Sequence, residues 1–199
     1  MTEELGLRAR KKIERRKCIE HAAIDLFEAH GFDGTTVEDI AAKADIAPRT
    51  FFHYFPTKED VVLADYAARL DRITIELAQQ PDTEAPWAAL RAAFVIVSGD
   101  YVAKRDELVR RFEIIAANPS VYARSLQLQA GWEDALAEVL AARAHTGTDD
   151  LTARLMASAA LASMRSSLRH WLLTSHDAAL PELVQTCFDQ LANGLTDTR

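Results

Sequence analysis

The chain has 199 residues, of which 49% are hydrophobic and 27% charged, which is enough apolar material for one compact core or two small ones. No apolar run approaches the roughly 20 residues needed to cross a bilayer, and the first residues are charged where a secretory signal would be apolar. We therefore expect a cytoplasmic protein with no membrane partner. Cys18 and Cys187 form no CxxC pair, so no disulfide framework is expected.

The formal net charge is -7, but the charge is unevenly distributed. Between Arg8 and Lys17, seven basic residues stand against Glu14 alone, so this segment carries +6 and the remainder -13. An acidic body with one basic arm would be oriented toward a phosphate backbone. The alternative is that the run is only a solvated helix face.

Helical periodicity dominates the sequence, and no segment alternates as a strand does. The first helix is predicted from about Arg10 to His30, where Gly31 ends it. Its expected inward positions include Ile13, Ala22, Ala23, Leu26 and Phe27.

A second helix of about eight residues is expected after the FDGT loop. Thr35 or Thr36 is predicted to cap it, because Thr35 with Glu38 fits a capping box. A tight turn follows, and Pro48 suits the first position of a third helix because its missing N–H costs nothing there. Pro56 closes that third helix.

The rest of the chain is predicted to be helical as well. A long fourth helix, capped by Thr57, should run from Lys58 to the break at Pro81. Five more helices are expected at about 86–104, 105–117, 119–145, 149–174 and 179–195.

The stretch PRTFFHYFP places four aromatic residues in five consecutive positions. At 100° per residue, Phe51 and Phe55 share a face with Pro48 and are predicted to be core. A purely structural helix has little reason to expose an aromatic ring. The outward surface is expected to consist of Arg49, Thr50, Phe52, His53 and Tyr54.

Two short helices separated by a three-residue turn have the spacing of a helix-turn-helix, whose second helix enters the major groove of DNA. In that geometry Arg49 can pair with guanine, and Phe52 or the Thr50 methyl group can contact a thymine methyl. The alternative is a packed aromatic corner between two helices. The predicted DNA-contacting residues are Thr36, Arg49, Thr50, Phe52, His53, Tyr54 and Lys58.

The sequence GFDGTTVEDIAAKADIAPRTFFHYFPTKEDVVLADY closely resembles the DNA-binding region of TetR-family transcriptional repressors. The family pattern is a glycine-aromatic pair, T-T-V/I-x-x-I-A, a small turn, T-hydrophobic-aromatic-x-Y-F and S/T-K-E, and the match covers about residues 10–65. Carried over position by position, the resemblance assigns operator contacts to the same seven residues. It assigns core roles to Ile40, Phe51 and Phe55.

Three positions depart from the commonest family pattern. Asp45 stands where glycine is frequent, and the turn remains feasible because aspartate tolerates the left-handed conformation better than most residues. Ala47 replaces a serine that usually caps the recognition helix, which weakens the cap by about 1 kcal/mol. Phe52 replaces a common tyrosine, so a phosphate hydrogen bond at that position is lost.

The resemblance implies an all-helical homodimer that binds a small effector in its C-terminal domain and then releases DNA. The expected fold is therefore all-α, with a three-helix helix-turn-helix DNA-binding domain in residues 1–56 joined to an effector-binding and dimerisation bundle in 57–199. The segment LMASAALASMRSSLRHWLL, with the last helix, is expected to form the dimer interface, and the alternative is an intramolecular contact. Its candidate interface residues are Ala157, Ala160, Leu161, Met164, Leu168 and Leu172.

An effector pocket is expected among the aromatic and aliphatic residues of the C-terminal bundle, although aromatic residues at helical spacing are more often plain core than ligand lining. The candidates are Phe94, Val97, Tyr101, Phe112, Ile115 and Trp132, with Arg91, Arg165 or Arg169 for an anionic group. The chain also resembles the mycofactocin-associated branch, whose regulators respond to fatty acyl thioesters. The expected effector is therefore small and hydrophobic or amphipathic, and an acyl thioester is one candidate.

An enzyme is the rival interpretation from another class. The six histidines form no HExxH pattern, and the sequence has neither a GxSxG elbow nor a glycine-rich phosphate loop. We therefore expect no catalytic residues, no metal site and no cofactor. The expected function is a ligand-responsive repressor that binds a palindromic operator as a dimer. An activator of the same family and a helical ligand-binding protein without an operator remain alternatives.

Overall fold

The structure of the protein is a computed structural model that describes residues 6–147, 150–174 and 179–195. Within these ranges the chain forms ten α-helices and no strand, which confirms the expected all-α fold. The helices are α1 (Leu7–His30), α2 (Val37–Lys43), α3 (Pro48–Phe51), α4 (Lys58–Val62), α5 (Tyr66–Gln79), α6 (Pro86–Val102), α7 (Arg105–Ala117), α8 (Pro119–Ala144), α9 (Leu151–Leu173) and α10 (Leu180–Ala192).

The helices are divided between two compact units. Unit 1 comprises the described residues of Met1–Ala64 together with Arg110–Ser125, and unit 2 comprises those of Asp65–Val109 and Leu126–Arg199. Both α7 and α8 therefore contribute residues to each unit. The functional boundary between residues 56 and 57 stays a prediction.

Helix α1 is longer than its packed part. It begins at Leu7, but its first buried residue is Ile19. The expectation that Ile13 faces the core was wrong, because this side chain is 44% exposed and no residue from Leu7 to Cys18 is buried. The buried positions of α1 are Ile19, Ala22, Ala23, Ile24 and Phe27.

The single long helix expected from Lys58 to about residue 80 is two helices. Helix α4 ends at Val62, and α5 begins at Tyr66. Leu63, Ala64 and Asp65 form the turn that separates them.

Two arginine side chains account for this break. Arg111 Nη1 donates to the carbonyl oxygens of Val61 and Val62 at 3.0 and 2.9 Å, and Arg16 Nη2 donates to the carbonyl oxygen of Ala64 at 2.9 Å. In a continuous helix these oxygens would accept N–H groups four residues later. Because guanidinium groups take their place, the chain leaves the helix without losing these hydrogen bonds.

Helix α6 forms the centre of unit 2 and packs against α5, α9 and α10. Phe188 of α10 lies against Trp87 and Phe94 of α6, with ring centroids 4.7 and 5.7 Å apart. The buried residues of α6 are Ala89, Leu90, Ala93, Phe94, Val97, Ser98 and Tyr101.

The small-residue side of α9 is buried within the chain itself. Ala157, Ala160, Met164 and Leu172 are all less than a tenth exposed. These four side chains are therefore covered within the chain, as the intramolecular alternative expects, whereas Leu161 and Leu168 are half-buried. The dimer interface itself stays a prediction. Small side chains at this face let α9 approach α6 and α10 closely.

Candidate nucleic-acid interface

Helix α2 begins with a capping box built on Thr36 rather than Thr35. The Thr36 hydroxyl accepts the N–H of Asp39 at 3.1 Å, and the Asp39 carboxylate accepts the N–H of Thr36 at 2.9 Å. Hydrogen bonds from the Thr36 hydroxyl and backbone hold the pKa of Asp39 below its usual range. Thr35 is buried instead and its hydroxyl donates to the Gly31 carbonyl at 2.9 Å, so the predicted box of Thr35 with Glu38 was wrong.

The turn after α2 has the hydrogen bonds of a Schellman motif. The N–H of Ile46 donates to the Ala41 carbonyl at 3.0 Å, and that of Asp45 to the Ala42 carbonyl at 3.2 Å. Asp45 has a φ of 52°, which is the left-handed conformation expected at this position. The turn therefore forms with aspartate in place of glycine.

Helix α3 is a single turn whose buried side is aromatic. Ala47 occupies its N-cap without a side-chain hydrogen bond, and Pro48 stands in its first turn. Phe51 is 0% exposed and Phe55 is 1% exposed, with ring centroids 5.8 Å apart, which confirms their predicted core roles. These two rings anchor the short helix against the rest of unit 1.

The opposite side of α3 and of the turn after it is open to solvent. Phe52 is 55% exposed, as predicted, and its ring meets Phe51 edge-on at 5.4 Å. Arg49 and His53 are exposed, whereas Thr50 and Tyr54 are half-buried. Within the described residues, none of these four polar side chains makes a hydrogen bond or ion pair, so they are available to a partner.

Lys58 is held inside unit 1. Its ammonium group donates to the carbonyl oxygens of Phe32 and Thr35 at 2.6 and 2.9 Å and lies 4.1 Å from the centre of the Phe32 ring. Two of its three N–H donors are therefore already used. The residue joins the loop before α2 to the start of α4, a structural role that sequence reasoning did not foresee.

Sequence reasoning also missed a buried arginine network in unit 1. Glu20 accepts hydrogen bonds from Arg16 Nε at 3.1 Å and from Arg111 Nη2 at 3.3 Å. The Arg111 side chain is only 4% exposed. The i, i+4 spacing of Arg16 and Glu20 was a visible signal, but nothing in the sequence indicated that α7 supplies Arg111 to this carboxylate.

The nine predicted pocket residues do not lie in one unit. Phe112 and Ile115 belong to unit 1. The other seven belong to unit 2: Arg91, Phe94, Val97, Tyr101, Trp132, Arg165 and Arg169.

The predicted apolar pocket residues of unit 2 differ in burial. Phe94 and Val97 are at most 1% exposed. Trp132 is half-buried, and its ring centroid lies 5.3 Å from that of Tyr66. Burial raises the pKa of Tyr101 to about 12. Phe94 and Val97 are therefore buried within unit 2, while Trp132 retains some access to solvent.

The three predicted arginines lie at the surface of unit 2. Arg91 pairs with Asp189 at 2.7 Å, and Arg165 donates to the Gln129 side-chain oxygen at 3.0 Å. Arg169 is exposed.

Sequence reasoning did not single out Arg69, a largely buried cation beside Tyr66 and Tyr101. Its side chain is 13% exposed, pairs with Asp65 and lies over the Tyr66 and Tyr101 rings at 5.5 and 4.9 Å.

Across the ranges that the structure describes, no group of three histidine, cysteine, aspartate or glutamate side chains is placed to hold a metal ion. No helix in those same ranges combines the length and the apolar character that crossing a membrane requires.

A capped helix, a Schellman turn and a short helix with an unpartnered outer face make up a helix-turn-helix, the unit of a DNA-binding regulator. Residues 19–64 match the family described as bacterial regulatory proteins, tetR family, and residues 84–196 match the MftR C-terminal domain. The chain therefore belongs to the TetR family of bacterial transcriptional regulators, as the sequence motifs predicted, and it carries an MftR-type C-terminal domain.

Individual relatives agree with this assignment. The chain is 30% identical over 177 residues to the protein named as the mycofactocin biosynthesis transcriptional regulator MftR of Mycobacterium tuberculosis, covering 89% of each. It is 32% identical over 177 residues to the HTH-type transcriptional regulator TcmR of Streptomyces glaucescens, covering 84% of this chain and 77% of that one. These relatives are transcriptional regulators, and this chain is a regulator rather than an enzyme.

A solved structure extends the likeness to the fold. Thermus thermophilus FadR, a TetR-family transcriptional repressor in complex with lauroyl-CoA, matches with a TM-score of 0.60 and 26% identity. The match covers 92% of this chain and 96% of that one.

Proposed function

We propose that the protein is a ligand-responsive repressor that binds a palindromic operator as a homodimer and leaves it when a small effector binds in unit 2. The observation that carries the DNA-binding part is the outer face of α3. Arg49, Thr50, His53 and Tyr54 are polar and unpartnered within the described residues, and they surround an exposed Phe52. Because its proposed partner is chromosomal DNA, we place the protein in the cytoplasm.

The side chains of this face have distinct proposed roles. Arg49 pairs with guanine in the major groove, and Phe52 or the Thr50 methyl group contacts a thymine methyl. His53 and Tyr54 bind phosphates, which sets the position of the protein on the duplex. Two copies of α3 in a dimer would contact half-sites about 34 Å apart.

Thr36 and Lys58 contribute at the ends of helices. The exposed Thr36 hydroxyl lies at the N-terminus of α2, where it is paired with Asp39 in the capping box, and we propose that it contacts a phosphate when DNA binds. Lys58 has one N–H donor beyond the two that hold the Phe32 and Thr35 carbonyls. We assign that remaining donor to a phosphate, as a secondary contact.

The dimer is supported by apolar side chains on α9 that the chain leaves uncovered. Leu151, Leu155 and Leu173 are 77%, 64% and 62% exposed. Exposed leucines at one helix are typical of a surface that packs against a partner. We propose that this side of α9, rather than the buried alanines, meets the second copy.

The proposed effector is an acyl thioester. The supporting likeness is to Thermus thermophilus FadR, whose structure holds lauroyl-CoA, and to the MftR-type domain of residues 84–196. Among the predicted pocket residues, Tyr101 and Trp132 bring aromatic surface from α6 and α8. The apolar acyl chain of such a ligand would pack beside these aromatic residues, and its polar head would stay near solvent.

The test is a gel-shift titration with the DNA that flanks the gene, a shuffled duplex of the same length, and lauroyl-CoA as the probe effector. We expect tight binding to the flanking DNA only, and its loss as lauroyl-CoA is added. Equal affinity for both duplexes would contradict the proposal that the protein recognises a specific operator. If DNA binding is unchanged when lauroyl-CoA is added, the proposal that an acyl thioester is the effector is contradicted.

Matched variants locate the interface. Arg49→Ala should weaken operator binding by about 5- to 140-fold per half-site, because one side chain paired with guanine discriminates by about 1–3 kcal/mol. Tyr54→Ala should weaken it less, and Tyr122→Ala, which alters a tyrosine that is 54% exposed on α8, should leave it unchanged. Wild-type affinity for Arg49→Ala and Tyr54→Ala would place the interface elsewhere.

A further inference from the structure

The first turns of α1 are a helical arm without a core to pack on. No residue from Leu7 to Cys18 is buried, and the first buried side chain is Ile19. Of the seven basic residues in this arm, Arg16 donates hydrogen bonds to the Glu20 carboxylate and the Ala64 carbonyl. Within the described residues, the other six make no ion pair or hydrogen bond.

Four of the basic side chains lie on one face of the arm. They are Arg8, Lys11, Lys12 and Arg15, which we call the basic stripe, and all four are exposed. Their spacing of i, i+3, i+4 and i+7 places them within an arc of about 100° and along about 10 Å of the helix axis. Arg10 and Lys17 lie on the opposite side.

Local helix energetics do not explain this arrangement. Like charges three and four residues apart repel each other, and basic residues near a helix N-terminus oppose the helix dipole. The N-cap Gly6 offers no side-chain hydrogen bond, and the first turn has no acidic residue. A segment that breaks these rules without an intramolecular gain is expected to serve a partner.

The chemistry of the stripe fits a regular array of phosphates. Duplex DNA carries one negative charge per about 1.7 Å of its axis, and lysine and arginine are the side chains that neutralise them. The base of the arm is tied to the end of the helix-turn-helix, because the Arg16 guanidinium lies 4.5 Å from the centre of the Phe55 ring. Phe55 directly follows Tyr54 of the proposed interface.

We infer that the basic stripe binds the phosphate backbone of duplex DNA outside the base pairs that α3 contacts. The inference rests on the proposed function, since it adds a second contact surface to the same DNA complex. The stripe contributes affinity and salt dependence without sequence preference, because phosphates are the same at every position.

Salt dependence gives a quantitative test. Each phosphate contact adds about 0.9 to the slope of log K against log salt concentration. The double variant Lys11→Gln with Arg15→Gln removes two contacts per chain, so in a dimer the magnitude of the slope should fall by roughly 3 to 4. The variant Arg10→Gln with Lys17→Gln removes the same two residue types from the opposite face and should keep the wild-type slope.

The slopes are measured by fluorescence anisotropy with full-length protein, on DNA flanking the gene and on a duplex of unrelated sequence. A smaller slope on both duplexes for the stripe variant alone, with an unchanged preference for the flanking DNA, supports the inference. A wild-type slope for the stripe variant, or an equal fall for both variants, overturns it.

Failure of the proposed function would look different. Wild-type protein would then bind the flanking DNA no better than the unrelated duplex. The effect of the stripe variant would still be measurable on that unrelated duplex, because phosphate contacts do not depend on sequence. Circular dichroism of each variant excludes loss of the fold as the cause of a change.

Discussion

The two units place their aromatic residues in opposite ways. In unit 1, Phe52 is 55% exposed directly after the four-residue helix α3, beside polar side chains that have no partner among the described residues. In unit 2, Phe94 is fully buried in the middle of α6. An exposed aromatic ring in a polar surface indicates a binding face, whereas a buried ring is either core or pocket lining, and burial alone does not separate the two.

The difference has a local cause. In unit 1 the short helices α2 and α3 are bounded by Thr36, a Schellman turn and Pro48, so helical geometry fixes which side chains point outward. Helix α6 has apolar residues around most of its circumference, as PWAALRAAFVIVSGDYV shows. Such a helix is buried on several sides, and its sequence does not distinguish one buried face from another.

The largest expected effect tests whether Phe94 is core. Phe94→Ala should lower the free energy of unfolding by about 3–5 kcal/mol, because it leaves a cavity in a packed interior. Urea denaturation followed by circular dichroism measures this loss. A change below about 1 kcal/mol would instead indicate that the ring borders a space that a ligand fills.

Phe52→Ala is the matched control in unit 1. Its ring is largely exposed, so the free energy of unfolding should change by no more than about 0.5 kcal/mol. A loss comparable to that of Phe94→Ala would remove the contrast between the two units.

Neighbouring arginines of α7 provide the next comparison. Arg111→Met should cost about 3 kcal/mol, because it leaves the Val61 and Val62 carbonyls and one Glu20 oxygen without this donor. Arg110→Met removes ion pairs of a residue that is 38% exposed, so it should cost about 1 kcal/mol or less. Equal urea midpoints for the two variants would contradict a structural role for the buried network.

The smallest expected effect is a loss of folding stability at alkaline pH. Because burial raises the pKa of Tyr101 to about 12, the folded chain favours the neutral phenol. Its contribution to stability is complete below the unfolded pKa of about 10 and is lost as the pH rises from there toward 12. The ultraviolet absorbance of tyrosinate should show Tyr101 titrating near pH 12.

Tyr101→Phe should abolish this late titration step. Tyr122→Phe, which changes an exposed tyrosine, should leave the step in place. If the late step survives in Tyr101→Phe, another tyrosine is responsible for it.

Sequence reasoning was most accurate where function and local structure coincide. The roles of Phe51 and Phe55 and the exposure of Phe52 followed from spacing within a few residues, and the left-handed Asp45 followed from the family resemblance. It was wrong where distant segments intervene, since the break after α4 depends on Arg111, which lies about fifty positions away. It also placed the capping box one residue too early, because residues 35 and 36 are both threonine and the local pattern does not show which of them caps the helix.

The sequence by itself determined the all-α class, the helix-turn-helix and the family, because capping residues, prolines and helical periodicity act over one or two turns. Only the tertiary structure decided where α4 ends, which arginines are buried and which face of α9 is covered. Those outcomes depend on hydrogen bonds and packing between helices far apart in the chain. No local sequence pattern shows which distant side chain will make such a contact.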